Sequence, residues 1–330
     1  MHRMRTEPFI FTSGGDRLAG VLYLPAEQPV AAVVTTGPLT SVKEQATGAY
    51  ARALAERRFA ALAFDHRTFG DSEGEPRQFE DPEGKADDVR AAVTALGADE
   101  RTRHLPVVAV GICAGAGYMA RAVADDPRIC AFAGVAGYYS DAASFAGSSP
   151  DAYQAAIARG LAAERRWRET GEVETIPAVA PDGGDVAMPL REAYEFYGTP
   201  RGAVANYVNG FAVQSLAHTT PFDAQEAATR IGVPFVLVHS EHALAPPLAS
   251  RFYATVGTPK AELWLESQGQ IDFYDQPRLI NPAVDAIAEY YTSEVMGGWP
   301  VHDVPDVSST ERPSQIDNAN RAVTRGRDDG

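Results

Sequence analysis

An alternation constrains this chain more than any other feature. Continuous apolar runs lie at 59–64, 106–110, 129–135 and 234–238, with a buried-type strand at 30–36 (VAAVVTT) and a further strand at 261–265, separated mostly by stretches with helical spacing. A strand that is apolar at nearly every position must be covered on both faces, as parallel strands of α/β domains are. Between the runs, Ala46, Tyr50, Ala53 and Leu54 share a face of a helix predicted over 44–57. Val89, Ala92, Val93 and Leu96 do the same over 83–97, and further helices are predicted at 247–256 and 281–294. Residues 8–25 add two strands around Ser13-Gly14-Gly15-Asp16. Right-handed crossovers turn this order into a doubly wound, mostly parallel sheet.

The alternation stops at about 141 and resumes at about 223. Helical periods (Tyr153 to Arg166, Leu190 to Tyr197) are mixed there with pieces such as Val179-Ala180-Pro181-Asp182-Gly183-Gly184, and no clear apolar strand is visible. A helical cap over residues 141–222 is therefore expected, inserted into a core of residues 1–140 and 223–296. From 297 to 330 the composition is polar and rich in Pro, Ser, Asp and Arg, which predicts a tail without fixed packing.

The formal net charge of −15 leaves no basic face for phosphates, so no nucleic-acid partner is expected. No apolar run approaches the ~20 residues that span a bilayer, so no membrane partner is expected either. The start, MHRMRTEPFIF, lacks the apolar segment of a secretory signal. Two cysteines, Cys113 and Cys130, are too few for a disulfide scaffold, and Cys130 is expected as a small core residue within its strand. There is no CxxC pair and no HExxH, so neither a metal nor another cofactor is expected. These features describe a soluble, cytoplasmic protein acting on a small-molecule substrate.

Ligands of doubly wound sheets bind outside the carboxyl ends of the strands. Residues 37–41, 111–115 and 239–247 fall there. The middle one reads Gly111-Ile112-Cys113-Ala114-Gly115, between a predicted strand and a predicted helix. A G-x-C-x-G turn in that setting lifts the central side chain above the sheet, and the flanking glycines avoid clashes. The helix N-terminus behind Cys113 favours a thiolate, and the Ala114 N–H points to where an oxyanion would form. Small residues alone would also let a helix pack closely on a strand; the strand–turn–helix context favours catalysis.

The stretches SVKEQATGAYARALAERRFAALAFDHRTFGDSEGEPR, VGICAGAGYMARAVADDPRICAFAGVAG, REAYEFYGTPRG and DFYDQP carry a family resemblance. Through them the chain resembles the α/β-hydrolase superfamily, in particular the dienelactone-hydrolase-related bacterial group with a G-x-C-x-G elbow. The resemblance implies an α/β-hydrolase fold, with Cys113 as nucleophile and the Ala114 N–H as one oxyanion donor. It implies Leu39 as the second donor, because Pro38 has no N–H. It also exposes two departures. The family's histidine base falls on Gln270, and its aspartate falls on Ala243. Glutamine forms hydrogen bonds but does not carry a proton at neutral pH, so standard hydrolysis is in doubt.

Several residues are candidates for the missing base. His242, with Glu241 to orient it, sits at the strand tip beside Ala243; His239 precedes them. Asp272 is a candidate carboxylate base, and His218, in the expected cap, is a candidate to reach in from above. His66 follows its strand at the correct sheet edge but two strands away, while His2, His104 and His302 lie far from the strand tips. Tyr118, Tyr138, Tyr139, Tyr194, Phe196 and Tyr197 are candidate pocket aromatics, two or three of which would line a site. Three functions stay open: hydrolysis of a small ester, lactone or thioester through Cys113; a lyase, cyclase or acyl-transfer reaction; or ligand binding without catalysis. A homodimer is expected only by analogy with other cap-bearing members of the fold.

Overall fold

The computed structural model of the chain describes residues 3–295 and 297. Most of the expected C-terminal tail lies outside the described residues. The strands are β1 (Arg5–Ser13), β2 (Asp16–Leu24), β3 (Ala31–Thr36), β4 (Phe59–Phe64), β5 (Val107–Ile112), β6 (Ile129–Val135), β7 (Thr175–Ile176), β8 (Phe211–Ala212), β9 (Phe235–His239) and β10 (Lys260–Trp264). Eight of them form one sheet in the order β1-β2-β4-β3-β5-β6-β9-β10. The pairings of β1 with β2 and of β2 with β4 are antiparallel, and every other pairing in this sheet is parallel.

The central strands are buried at every residue of β3, β4, β5 and β9, as their unbroken apolar runs predict. Helices Ala46–Ala55, Pro82–Ala98, Ala114–Asp125, Pro246–Thr255 and Pro277–Glu294 cover the sheet. The helix predicted to begin at 281 begins at Pro277, whose fixed φ suits a first helical turn. Asp272–Asp275 forms a separate short turn of helix before it. The chain runs from β3 to β4 on one side and then to β5 on the other. This reversal opens a crevice at the carboxyl ends of β3 and β5, where residues 37–41 and 111–115 lie.

Residues 141–222 carry helices Ala142–Ser148, Pro150–Thr170, Arg191–Tyr197 and Leu216–Thr219. Contrary to expectation the stretch is not free of strands: β7 and β8 pair as a short antiparallel ladder, Thr175 with Ala212 and Ile176 with Phe211. Two residues per strand are too few to show period-two patterning. Gly160 lets the long helix approach the Leu216–Thr219 segment, since a Cβ there would stand 2.3 Å from the Ala217 nitrogen. Both cysteines are free thiols, and Cys130 is half-buried rather than a fully enclosed core residue. Among the described residues no helix is long and apolar enough to cross a membrane.

Candidate active site

Cys113 stands between β5 and the helix Ala114–Asp125 with φ 55° and ψ −125°. A side chain in this left-handed region costs about 1–3 kcal/mol and persists only where the surroundings fix it. The fixing contacts are visible. The Cys113 N–H donates to the Val135 carbonyl (3.1 Å), and its own carbonyl accepts from Ala116 (3.0 Å) and Tyr138 (2.9 Å). The flanking glycines are required by space. A Cβ on Gly111 would stand 2.5 Å from the Ala116 Cα, and one on Gly115 would stand 2.5 Å from the Gly37 carbonyl oxygen. The elbow therefore packs directly against the loop after β3, and Thr36 Oγ1 donates to the Gly115 carbonyl at 2.9 Å.

The sulfur faces the Tyr274 hydroxyl, the Ala114 N–H, the Gln270 amide and the Leu39 N–H. Burial pushes the Cys113 thiol up from its ordinary range, while these four groups pull the other way. The two N–H groups expected as oxyanion donors thus lie beside the candidate nucleophile. Above them is a cavity of about 600 Å³. Cys113, Leu39 and Ala114 lie in its wall together with apolar side chains such as Phe145, Ile176, Met188 and Phe222. Arg159 and Asp185 lie in the wall as well, joined to each other through two contacts of 2.7 Å.

Gln270 is buried, and both ends of its amide are occupied. Its Nε2 donates to the Ala136 carbonyl (2.8 Å) and its Oε1 accepts the Leu244 N–H (2.9 Å). It thus ties the turn after β6 to the loop after β9, next to Ala243. The Gln270 and Ile271 N–H groups donate to the Glu192 carboxylate at 3.3 Å each, so a side chain from residues 141–222 holds this loop too.

The other proposed bases are placed elsewhere. Glu241 and His242 are exposed and do not line the cavity. The loop after β9 turns inward at Ala243 and Leu244 instead, and Leu244 is the residue that reaches the wall. Asp272 accepts from the Gln268 N–H (3.1 Å) and from Arg278 (2.5 Å), a surface pairing outside the cavity. His218 stacks edge-on with Phe79 and lies 3.8 Å from Asp81. His239 is enclosed between the Ser240 and Gly137 carbonyls, and burial lowers its pKa. His66 is buried against Asp88 at 3.2 Å, and burial lowers its pKa as well. Among the described residues no histidine lines the cavity.

Of the aromatic candidates, Tyr118 and Tyr138 reach the wall. Tyr194 and Tyr197 do not. In the helix Arg191–Tyr197 it is Ala193 that meets the cavity; Tyr194 lies over Gly198, and Tyr197 is stacked on Tyr207, at 5.2 Å between ring centres. Tyr139 is stacked on Phe252 in the core, and Phe196 packs edge-on with Tyr197. Tyr274 and Glu192 join the site without being among the expected residues. Tyr274 lies four residues after Gln270, the interval that puts side chains on one face of a helical turn, and that interval was the available signal. Nothing local in the sequence connects Glu192 to the Gln270 loop.

The sheet order, the elbow and the covered crevice define an α/β hydrolase. A family model described as serine aminopeptidase, S33, matches residues 44–267, and the chain belongs to that α/β-hydrolase family. The uncharacterized protein PA2218 of Pseudomonas aeruginosa is 30% identical over 288 residues, covering 84% of this chain and 77% of that protein. Its crystal structure matches with a TM-score of 0.78 at 25% identity, covering 89% of this chain and 95% of that one. The thiohydrolase aneE of Aspergillus aculeatus is 37% identical over 91 residues, 28% of each chain. A dienelactone hydrolase from Anabaena variabilis shares the fold, with a TM-score of 0.54 at 13% identity over 89% of this chain and 99% of that one.

Proposed function

We propose that the protein accepts an acyl group on Cys113 from a small-molecule thioester with an apolar acyl chain. One observation carries this: the sulfur lies under the Leu39 and Ala114 N–H groups at the wall of a largely apolar cavity, while the base position holds a glutamine committed to backbone. Such a site can stabilise a tetrahedral oxyanion, and among the described residues no imidazole lines it to move protons. That combination suits a thioester. Its leaving thiolate has a pKa near 8.5 and departs without a strong acid, whereas an alkoxide leaving group needs one. In the acylation step the Cys113 S–C bond forms, the substrate C–S bond breaks, and the Cys113 proton leaves on the released thiol.

Activated esters and lactones are weaker substrates on this account. The sequence match to a thiohydrolase supports a thioester substrate. In the second step a hydroxyl, amine or water attacks the acyl-Cys113 carbonyl, and the proton it loses returns to sulfur. Without a base, water is a slow acceptor, so transfer to a nucleophile held in the cavity, or carried by the substrate itself, is favoured. The test is incubation with a medium-chain acyl thioester followed by intact-mass and peptide analysis. One acyl group on Cys113, absent in Cys113→Ala, is the expected result. Turnover retained in Cys113→Ala removes the cysteine from the reaction, and the absence of both adduct and turnover leaves a binding protein.

A further inference from the structure

A buried charged cluster adjoins the oxyanion loop. Glu80 is fully buried and Lys85 nearly so, at 0% and 2% exposure. Lys85 Nζ donates to Glu80 Oε1 at 2.5 Å, and the Tyr118 hydroxyl donates to the same oxygen at 2.9 Å. The second oxygen, Oε2, accepts the backbone N–H of Thr40 at 3.1 Å. The Glu80 N–H in turn donates to Ser215 Oγ at 2.8 Å, next to Leu216 in the cavity wall.

Thr40 is the telling partner. It is β-branched and has φ 60°, a conformation such residues rarely adopt and that persists only when external contacts hold it. The contacts of Ser41 fold back on the same loop, through its N–H (3.2 Å) and hydroxyl (2.8 Å) to the Pro38 carbonyl. The Glu80 carboxylate reaches the loop from outside it, through a charge-assisted hydrogen bond, the stronger kind. Thr40 is bonded directly to Leu39, whose N–H faces the Cys113 sulfur. Lys85 balances the charge, so a carboxylate near a developing oxyanion does not oppose it.

We propose that Glu80 is a positioning residue of the oxyanion site: through the Thr40 N–H it holds the loop that aims the Leu39 N–H at the acyl oxygen. The proposal rests on the reading of Cys113 as the acyl acceptor. It says that Glu80 affects attack on a carbonyl and leaves the reactivity of the sulfur itself alone.

The test compares two reactions of Cys113 in the full chain: acylation by a medium-chain acyl thioester, and alkylation by iodoacetamide, which displaces iodide and develops no oxyanion. The Glu80→Met/Lys85→Met variant removes both charges while keeping apolar bulk, an exchange that buried ion pairs often tolerate. Its acylation rate is expected to fall about 10²-fold or more, the usual loss for one oxyanion donor, with alkylation within about threefold of the unmodified protein. Glu80→Gln/Lys85→Met keeps an acceptor for Thr40 and is expected to recover acylation to within about tenfold. It also serves if the first variant does not fold: loss of acylation there, with alkylation intact, overturns the tether as drawn. Acylation and alkylation falling together assign Glu80 a purely structural role, and acylation unchanged in the Met/Met variant overturns the inference alone. No acylation in the unmodified protein overturns the reading of Cys113, and this inference with it.

Discussion

The two sides of the crevice differ in what they keep. On one side, the loop after β3 and the elbow after β5 hold the proposed nucleophile Cys113 and the Leu39 and Ala114 N–H groups, fixed by glycine contacts and by strained backbone at Thr40 and Cys113. On the other, the loops after β9 and β10 place Ala243 and Gln270 where a hydrolase of this fold would carry an acid and a base. Gln270 has become a structural tie, with its amide shared between Ala136 and Leu244. On the proposed reading, the parts that polarise a carbonyl are retained and, among the described residues, the parts that move a proton are not. Only the first set is needed for a step whose leaving group is a weak base.

The sharpest way to break the contrast is to restore the second side. Gln270→His combined with Ala243→Asp is expected to speed release of the acyl group to water by about 10²-fold, at the low end of what a general base contributes. Gln270→His alone is expected to change it by less than about threefold, because the imidazole then has no carboxylate to orient it. Acyl-enzyme decay followed by intact mass separates the two. A full gain from the single substitution would mean that a carboxylate elsewhere already faces position 270.

The pH dependence gives a smaller, graded test. Burial raises the Cys113 pKa, so the thiol is protonated at neutral pH in the folded protein. Only the thiolate reacts. Alkylation by iodoacetamide should therefore rise about tenfold per pH unit from 7 to 9 and continue upward through the ordinary thiol range. A plateau below pH 8 would be the signature of a cysteine paired with a cation, and would contradict a thiol held up by burial.

Much of this was legible in the sequence, for definite reasons. β4 and β6 fall where their apolar runs begin and end, because burial on both faces leaves no polar position within them. The elbow was legible because its two glycines are dictated by contacts shorter than any Cβ allows. Other features depend on which residues meet in space. That Tyr197 would pack on Tyr207 instead of reaching the cavity follows from where a loop ten residues on returns. That Glu80 would meet Thr40, forty residues apart, follows from the crossing of the chain between β3 and β5. His242 and Asp272 looked suitable because they neighbour the vacated acid and base positions. The loops turn inward through Leu244 and through Gln270, Ile271 and Tyr274 instead.

The central claim is that the site takes up an acyl group readily and gives it to water slowly. The most direct measurement is the lifetime of acyl-Cys113 after a single exposure to thioester, followed by quenched-flow mass analysis with and without an added amine or alcohol acceptor. The account predicts that acylation outpaces decay in water by about 10²-fold or more, and that a suitable acceptor shortens the lifetime. An acyl-enzyme that hydrolyses as fast as it forms, with no acceptor present, would contradict it.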